Sequence, residues 1–291
     1  MMELTAQAFG ELRGLIQRLC GVALSADKEY LVRHRLEPVA RAAGCTGFEE
    51  LLRKLRGPEA QAISEAVVEA ITTSETSFFR DGQPFEAVRR LMLPDLGERL
   101  LARKSRLPLL AGPTVRLWSA ATATGQEAYS LAILVHDYVE ANRSRGLMER
   151  DFSILATDVS ASVLARARSA AYRERELARG LTPGQVARYL QRSGDHWLVR
   201  EPVRRLVDFA RANLIEPPFG LGPFDVIFCR NVLIYFDEST RQRICLRLHE
   251  LLKAGGWLVL GAAESLYGLT DRFDTQPWEG ALLYRKPPTK Q

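Results

Sequence analysis

The segment "VRLWSAATATGQEAYSLAI", Val115 to Ile133, constrains the fold of this chain more than any other. It begins as an apolar run, bends through small residues and continues at helical spacing after Gly125. Strand, tight turn and helix in that order form a corner of an α/β sheet, and ligands bind just beyond such strand ends. The corner reads Ser119-x-Ala121-x-Ala123-x-Gly125. Small side chains let backbone come close to a ligand, and Gly125 has a conformational freedom that alanine lacks. Ala121 and Ala123 therefore predict a turn without free access to positive φ. On the turn alone, a ligand site and a bare structural corner have equal support.

The chain around this corner supports an α/β reading. Strands are expected at "VRLWSA", "FSILATD", "FDVIFCR", "GWLVLGA" and "GALLYRK", with helices at "GQEAYSLAILVHDYVEAN", "SASVLARARSAA" and "ESTRQRICLRLHELLKAGG". Such alternation predicts a mostly parallel sheet covered on both faces. The last strand follows a connection without a helix and is expected to run antiparallel. Residues Arg173 to Arg211 break the pattern: a helix "TPGQVARYLQ", a turn at Ser193-Gly194-Asp195, then "HWLV" and "RRLVDFAR", read together as an inserted hairpin. "FEAVRRLMLPDLGERLLARK" reads as a connecting helix interrupted at Pro94.

The first ~80 residues read as a small all-α bundle. One helix stops at Gly21; the next has Ser25 as N-cap and Gly44 as stop. On that second helix Val32, Leu36, Val39 and Ala43 share a face, and Arg33, His34 and Arg41 point away from it. The expected division is 1–85 for the bundle, 86–112 for the connection and 113–288 for the sheet domain, with the insert at about 173–211. The tail "PPTKQ" is expected to be disordered.

Composition narrows the function. Hydrophobic residues at 46% with 26% charged fit a soluble globular protein. The polar, acid-bearing N-terminus is no secretory signal. "FDVIFCRNVLIYF", the most apolar stretch, is broken by Arg230 and Asn231 and is too short to span a bilayer. A cytoplasmic protein without membrane insertion is expected. Cys20, Cys45, Cys229 and Cys245 lack C-x-x-C pairing, and the four histidines are scattered, so neither a metal site nor a disulfide framework is expected. The net charge of +5 comes without basic runs interleaved with aromatics, which favours an acidic protein target over nucleic acid.

Asp158, at the end of "ILATD", sits where a carboxylate can accept hydrogen bonds from both hydroxyls of a ribose. It is equally a plausible N-cap of the following helix. The chain lacks G-x-x-x-x-G-K-[ST], and the corner lacks the glycines that cradle a pyrophosphate. An adenosine ligand without phosphates points to S-adenosylmethionine.

Several stretches then become recognisable together. "TTSETSFFRD", "WSAATATGQEAYSLA", "ILATD", "NLIEPPF", "FDVIFCRNVLIYF" and "LVLGAAESL" resemble, in order, motifs of the CheR family, the glutamate methyltransferases of chemotaxis receptors. The resemblance covers nearly the whole chain. It implies a Rossmann-like methyltransferase domain with an N-terminal all-α bundle and an inserted β-hairpin subdomain. S-adenosylmethionine is the implied methyl donor, leaving S-adenosylhomocysteine, and a glutamate on a receptor's cytoplasmic helix is the implied acceptor. Ser74 stands where the family has asparagine and Ala128 where it has proline.

Carried over by motif, Ser74, Thr76 and Arg80 would line the mouth of the cofactor pocket. Arg80 would neutralise a carboxylate of cofactor or substrate, or else join the domains by a salt bridge. Gly125 belongs to the cofactor turn; Glu127 would pair with the cofactor's ammonium group or complement the helix dipole. Asp158 would hold the ribose, Asn213 and Leu214 would flank the adenine, and Arg230 and Asn231 would face the methionyl portion and the substrate. Tyr235 would orient the attacking carboxylate, making Tyr235, Arg80 and Arg230 the catalytic set. The partner is the cytoplasmic domain of a methyl-accepting receptor, met by Arg33, His34 and Arg41 and by the inserted hairpin, with the enzyme a monomer. Two other readings stand beside this one: an idle S-adenosylmethionine-binding scaffold that binds the receptor, and a nucleic-acid methyltransferase.

Overall fold

A computed structural model describes residues 2–106, 114–217 and 220–288. The chain opens with α1 (Ala6–Cys20), α2 (Glu29–Ala42), α3 (Phe48–Lys54) and α4 (Ala60–Ile71). The Thr5 hydroxyl caps α1 by accepting from Ala8 N at 3.2 Å, and Gly21 ends it at φ 77°. Ser25 heads a 3-10 turn rather than α2 itself. The bundle core gathers Leu12, Ile16, Val32, Leu36, Phe48, Leu51 and Val67, all fully buried. On α2 the buried stripe runs Val32, Leu36, Ala40, and Val39 and Ala43 are only partly covered.

The expected break at Pro94 is absent. α5 (Gln83–Ala87) passes through a π-helical turn (Val88–Met92) directly into α6 (Leu93–Arg106). Proline lacks an N–H and its ring clashes with the carbonyl four residues earlier; a wider turn just before it lets the helix continue. Residues 107–112 of the expected connection, and 289–291 of the expected disordered tail, lie outside the described residues.

The sheet domain continues with β1 (Val115–Ala120), α7 (Gln126–Asn142), β2 (Phe152–Asp158), α8 (Ala161–Ser169) and β3 (Ala171–Tyr172). Next come α9 (Glu174–Leu177), α10 (Pro183–Tyr189), β4 (Leu190–Ser193), β5 (His196–Val199), α11 (Glu201–Arg204) and β6 (Val207–Arg211). It closes with β7 (Phe224–Cys229), α12 (Glu238–Leu251), β8 (Leu252–Leu260), β9 (Asp274–Trp278) and β10 (Ala281–Arg285). The main sheet has the order β6-β2-β1-β7-β8-β10-β9. β6, β2, β1, β7 and β8 are parallel, and β10 and β9 are antiparallel additions. Successive residues face opposite layers: Leu117 and Val226 pack with α7 and the long helix, while Trp118 and Ile227 pack with α12.

The insert differs from its expected form. β4 and β5 make the hairpin, and β3 completes a small antiparallel sheet of order β3-β5-β4. "VDFAR" is no hairpin strand: β6 pairs in parallel with β2 through Ile154↔Val207 and extends the main sheet. A short run alternating apolar and polar residues fits either sheet, so pairing direction, not composition, decides. β9, "DTQPW", lies outside the expected strands; its Pro277 cannot donate to a ladder and is tolerated because β9 is an edge strand. All four cysteines are free and buried. No described helix is long and apolar enough to cross a membrane.

Candidate functional site

The strand order reverses between β2 and β7 around β1, which puts a crevice past their carboxyl ends. The β1–α7 turn forms one edge of it. Ala121, Ala123 and Gly125 all take left-handed conformations, at φ 54°, 52° and 91°. This corrects the expectation that the alanines would keep the turn from positive φ. Each left-handed alanine costs on the order of 1 kcal/mol, so neighbouring bonds must hold the strain. Thr122 N donates to Thr157 O at 2.9 Å, Gly125 N to Thr122 O at 3.1 Å, and Ala123 N to Asp158 Oδ2 at 3.0 Å. Gly125 itself faces away from the cavity. A Cβ there would come within 3.0 Å of Ala167 Cβ, so this glycine is required by packing against α8.

Asp158 ends β2 with both carboxylate oxygens engaged. Oδ2 accepts from Ala123 N, and Oδ1 accepts from Ser160 N at 3.0 Å. The cap of α8 is Ser160, whose Oγ accepts from Val163 N, which removes the capping alternative for Asp158. Burial pushes the Asp158 carboxyl above its ordinary range, opposed by the Ser160 and Ala123 N–H groups. A carboxylate offers about four acceptor sites, so two protein donors leave room for two ligand hydroxyls. The cavity floor is Trp118 and Thr157, with Trp118 Nε1 donating to Thr157 Oγ1 at 2.9 Å.

The other end of the cavity is built on a buried arginine. Arg230, past the end of β7, donates from Nη1 to Glu127 Oε2 at 3.2 Å and from Nη2 to Asp81 Oδ2 at 2.7 Å and Arg80 O at 2.9 Å. Its Nε has no partner among the described residues. Glu127 also accepts from Ser119 Oγ at 2.8 Å. Burial raises the Glu127 carboxyl, and Arg230 opposes that shift. Glu127 thus has an arginine partner that neither sequence reading foresaw. The segment supplying Arg80 and Asp81 is itself constrained: Phe79, Asp81 and Gly82 are left-handed at φ 47°, 66° and 60°. Arg80 donates to Glu75 O at 3.1 Å, lines the cavity and makes no ion pair among the described residues.

The helical bundle closes the remaining side. Val22 forms an antiparallel bridge with Phe236, and Ala23 N donates to Tyr235 O at 2.8 Å. Gly21 allows this approach, since a Cβ there would lie 2.5 Å from Ile215 Cγ2 and 2.9 Å from Phe236. Asn213 ties to the same junction, with Nδ2 donating to Leu19 O at 2.8 Å. Arg35 of α2 fixes the end of α4, donating to Ile71 O at 2.6 Å and to Thr73 Oγ1 at 3.3 Å.

One cavity therefore gathers Thr76, Arg80, Glu127, Asp158, Asn213, Leu214, Arg230, Asn231 and Tyr235. Ser74 and Gly125 do not line it; Ser74 is exposed. Sequence reasoning missed Trp118, Thr157, Asp81, Arg35 and Glu264. All but Arg35 had a signal, their place in the quoted "TTSETSFFRD", "WSAATATGQEAYSLA", "ILATD" and "LVLGAAESL". No group of three or more potential metal ligands occurs among the described residues.

Residues 74–280 match the SAM-binding domain of the CheR methyltransferases, and residues 7–72 match their all-alpha domain. Chemotaxis protein methyltransferase 1 of Pseudomonas aeruginosa is 36% identical over 278 residues, covering 95% of this chain and 97% of that protein. Chemotaxis protein methyltransferase Cher2 of Pseudomonas putida is 34% identical over 278 residues, with the same coverage of 95% and 97%. The chemotaxis protein methyltransferase of Escherichia coli is 35% identical over 270 residues, covering 91% of this chain and 86% of that protein. The fit to S-adenosylmethionine is chemical as well. A cavity with a half-satisfied Asp158 and no phosphate cradle suits an adenosine bearing a cationic amino-acid tail.

Proposed function

This chain belongs to the CheR methyltransferase family, S-adenosylmethionine-dependent enzymes of chemotaxis, and from that premise we propose that it methylates glutamate side chains of chemoreceptors. The observation that carries the reading is the polarity of the cavity. Asp158 and the phosphate-free turn line the same cavity as Arg80 and the partly exposed Tyr235.

A glutamate carboxyl has a reference pKa of about 4.3, so at neutral pH the acceptor is already an anionic nucleophile. The site accordingly needs no general base. Bound S-adenosylmethionine supplies an electrophilic methyl group on a sulfonium centre. Asp158 accepts the ribose hydroxyls, and Leu214 packs beside the adenine. The Glu127–Arg230 pair offers a carboxylate to the cofactor's ammonium group, with Arg230 held in turn by Asp81. Arg80 has no carboxylate partner among the described residues and receives the incoming glutamate as a charge partner. The Tyr235 hydroxyl would fix the direction of attack on two opposite charges that neutralise each other as methyl transfers, a step favoured where water is excluded.

Ser74 is exposed and off the cavity wall, so the departure from asparagine removes no cavity group and gives no support to an idle scaffold. The reading is tested by incubating the protein with methyl-labelled S-adenosylmethionine and receptor-rich membranes. Label released as methanol by mild base is the expected result. Base-stable label, or label in added nucleic acid, would overturn the acceptor.

A further inference from the structure

The best-satisfied buried carboxylate on the described chain does not itself line the cavity but bonds to two residues that do, Asn231 and Val232. Glu264 follows β8 and is 9% exposed. Its Oε2 accepts from Gly261 N at 2.8 Å and Asn231 N at 2.7 Å. Its Oε1 accepts from Val232 N at 2.9 Å and Leu233 N at 2.7 Å. Three successive N–H groups converging on one anion form a nest, and the left-handed Asn231, φ 56°, is what turns them inward. The fit is tight. A Cβ on Gly261 would lie 2.7 Å from Glu264 Oε2 and 2.8 Å from Asn231 N.

The nest is the root of the segment that reaches the reacting end of the cavity. Directly after it comes the single 3-10 turn Leu233–Tyr235. Tyr235 N donates to Val232 O at 3.1 Å, so tyrosine and nest are joined by one turn of backbone. Tyr235 is 37% exposed and has no hydrogen bond to its own hydroxyl among the described residues, so its placement comes from the backbone alone. We propose that Glu264 is a positioning residue for methyl transfer: its charge holds the Asn231–Leu233 nest and thereby aims Tyr235 at the acceptor carboxylate. This rests on the assignment of Tyr235 above and adds the group through which that assignment is enforced.

Glutamine in this place keeps the shape but presents an amide N–H₂ to donors, so one half of the nest must open. Glutamate to aspartate keeps the charge on a shorter arm. Glu264→Gln, Tyr235→Phe and the double variant are to be compared in turnover at saturating donor and receptor, with S-adenosylhomocysteine affinity measured by calorimetry. Glu264→Gln should lose about tenfold or more in kcat and retain binding through Asp158, and the double variant should be no slower than about the slower single one, as expected for residues acting as a unit. Glu264→Asp should recover part of the rate. Losses that multiply in the double variant would overturn the proposal, as would a normal kcat in Glu264→Gln. If Tyr235→Phe alone turns over normally, the Tyr235 assignment fails and this proposal with it. If neither Glu264 variant melts cooperatively, Glu264 serves stability only and the proposal is likewise overturned.

Discussion

The two walls of the cavity are built by opposite strategies. On the sheet side, Asp158, Glu127 and Arg230 leave parallel strands or the first turn of a buried helix, and Glu127 and Arg230 are 8% and 5% exposed. Left-handed Ala121, Ala123 and Asn231 stand there, held by Thr157 O and by the Asp158 and Glu264 carboxylates, as left-handed Phe79 and Asp81 flank Arg80 on the other wall. On the bundle side, Thr76 and Arg80 leave an exposed segment held by side chains: Arg35 on Ile71 O, and Glu69 accepting from Ser162 N at 2.9 Å. A wall held by strand ladders keeps its groups to fractions of an ångström, whereas one held by long side chains can yield as a partner docks. On the function proposed above, the sheet wall would set cofactor affinity, and the bundle wall and mouth would set what reaches the methyl group.

The strongest way to break that division is Asp158→Ala. Hydrogen bonds to a charged acceptor contribute about 1.5–3 kcal/mol each, so removing two of them should weaken S-adenosylhomocysteine binding by roughly a hundredfold or more. The thermal shift given by S-adenosylhomocysteine should nearly vanish. NAD and ATP should give none with the unaltered protein. Burial raises the Asp158 carboxyl, and the ionised form accepts more strongly and at both oxygens, whereas protonation weakens the carboxyl as an acceptor and turns one oxygen into a donor. Affinity should thus be complete above that raised pKa and fall as pH drops through it, starting above the ordinary aspartate value of about 3.9. Asp158→Asn should flatten this portion of the curve. A binding curve unchanged in Asp158→Ala would dissolve the contrast between the walls.

Tyr235→Phe probes the mouth and should behave in the opposite way. Losing one hydrogen bond to the acceptor costs about 1–3 kcal/mol, roughly a ten- to hundredfold fall in turnover. Cofactor affinity should stay within about twofold, because the bonds at Asp158 are untouched. Loss of binding by calorimetry with turnover preserved at saturation would reverse the assignment.

The legible parts of this molecule are those where local pattern and final contact coincide. β1, β2 and β7 were readable because buried parallel strands carry continuous apolar runs. β6 was misplaced because a five-residue alternation does not say which sheet it will join. The positive φ of Ala121 and Ala123 runs against alanine's own preference and is imposed by bonds to Thr157 and Asp158, some 35 residues away. Glu264 was visible as a residue but not as an anchor, since three of its donors come from a segment about 30 residues earlier. Arg80 was found through its family motif, and Tyr235 through its motif together with its place four residues, one helical turn, after Asn231.

The smallest effect belongs to the outer face of the bundle, proposed to meet the receptor. Arg33 lies 2.5 Å from Glu29 and Arg41 lies 2.6 Å from Glu37, each one helical turn away, while His34 is exposed and makes no ion pair among the described residues. A receptor carboxylate must compete with these built-in partners. An exposed pair is worth only about 0.2–1 kcal/mol, so the net attraction per arginine is small. Charge reversal enlarges it, because each new glutamate repels both the receptor and its former helical partner. Arg33→Glu with Arg41→Glu should raise the KM for receptor roughly three- to tenfold at low salt, with kcat at saturation and cofactor affinity unchanged. Since the Debye length falls to about 8 Å at physiological ionic strength, the difference should narrow steadily as salt is added. Melting curves check that repulsion of Glu29 and Glu37 has not frayed α2. Receptor kinetics identical to the unaltered protein across the salt series would remove α2 from the docking surface and shift it to the β3-β5-β4 sheet.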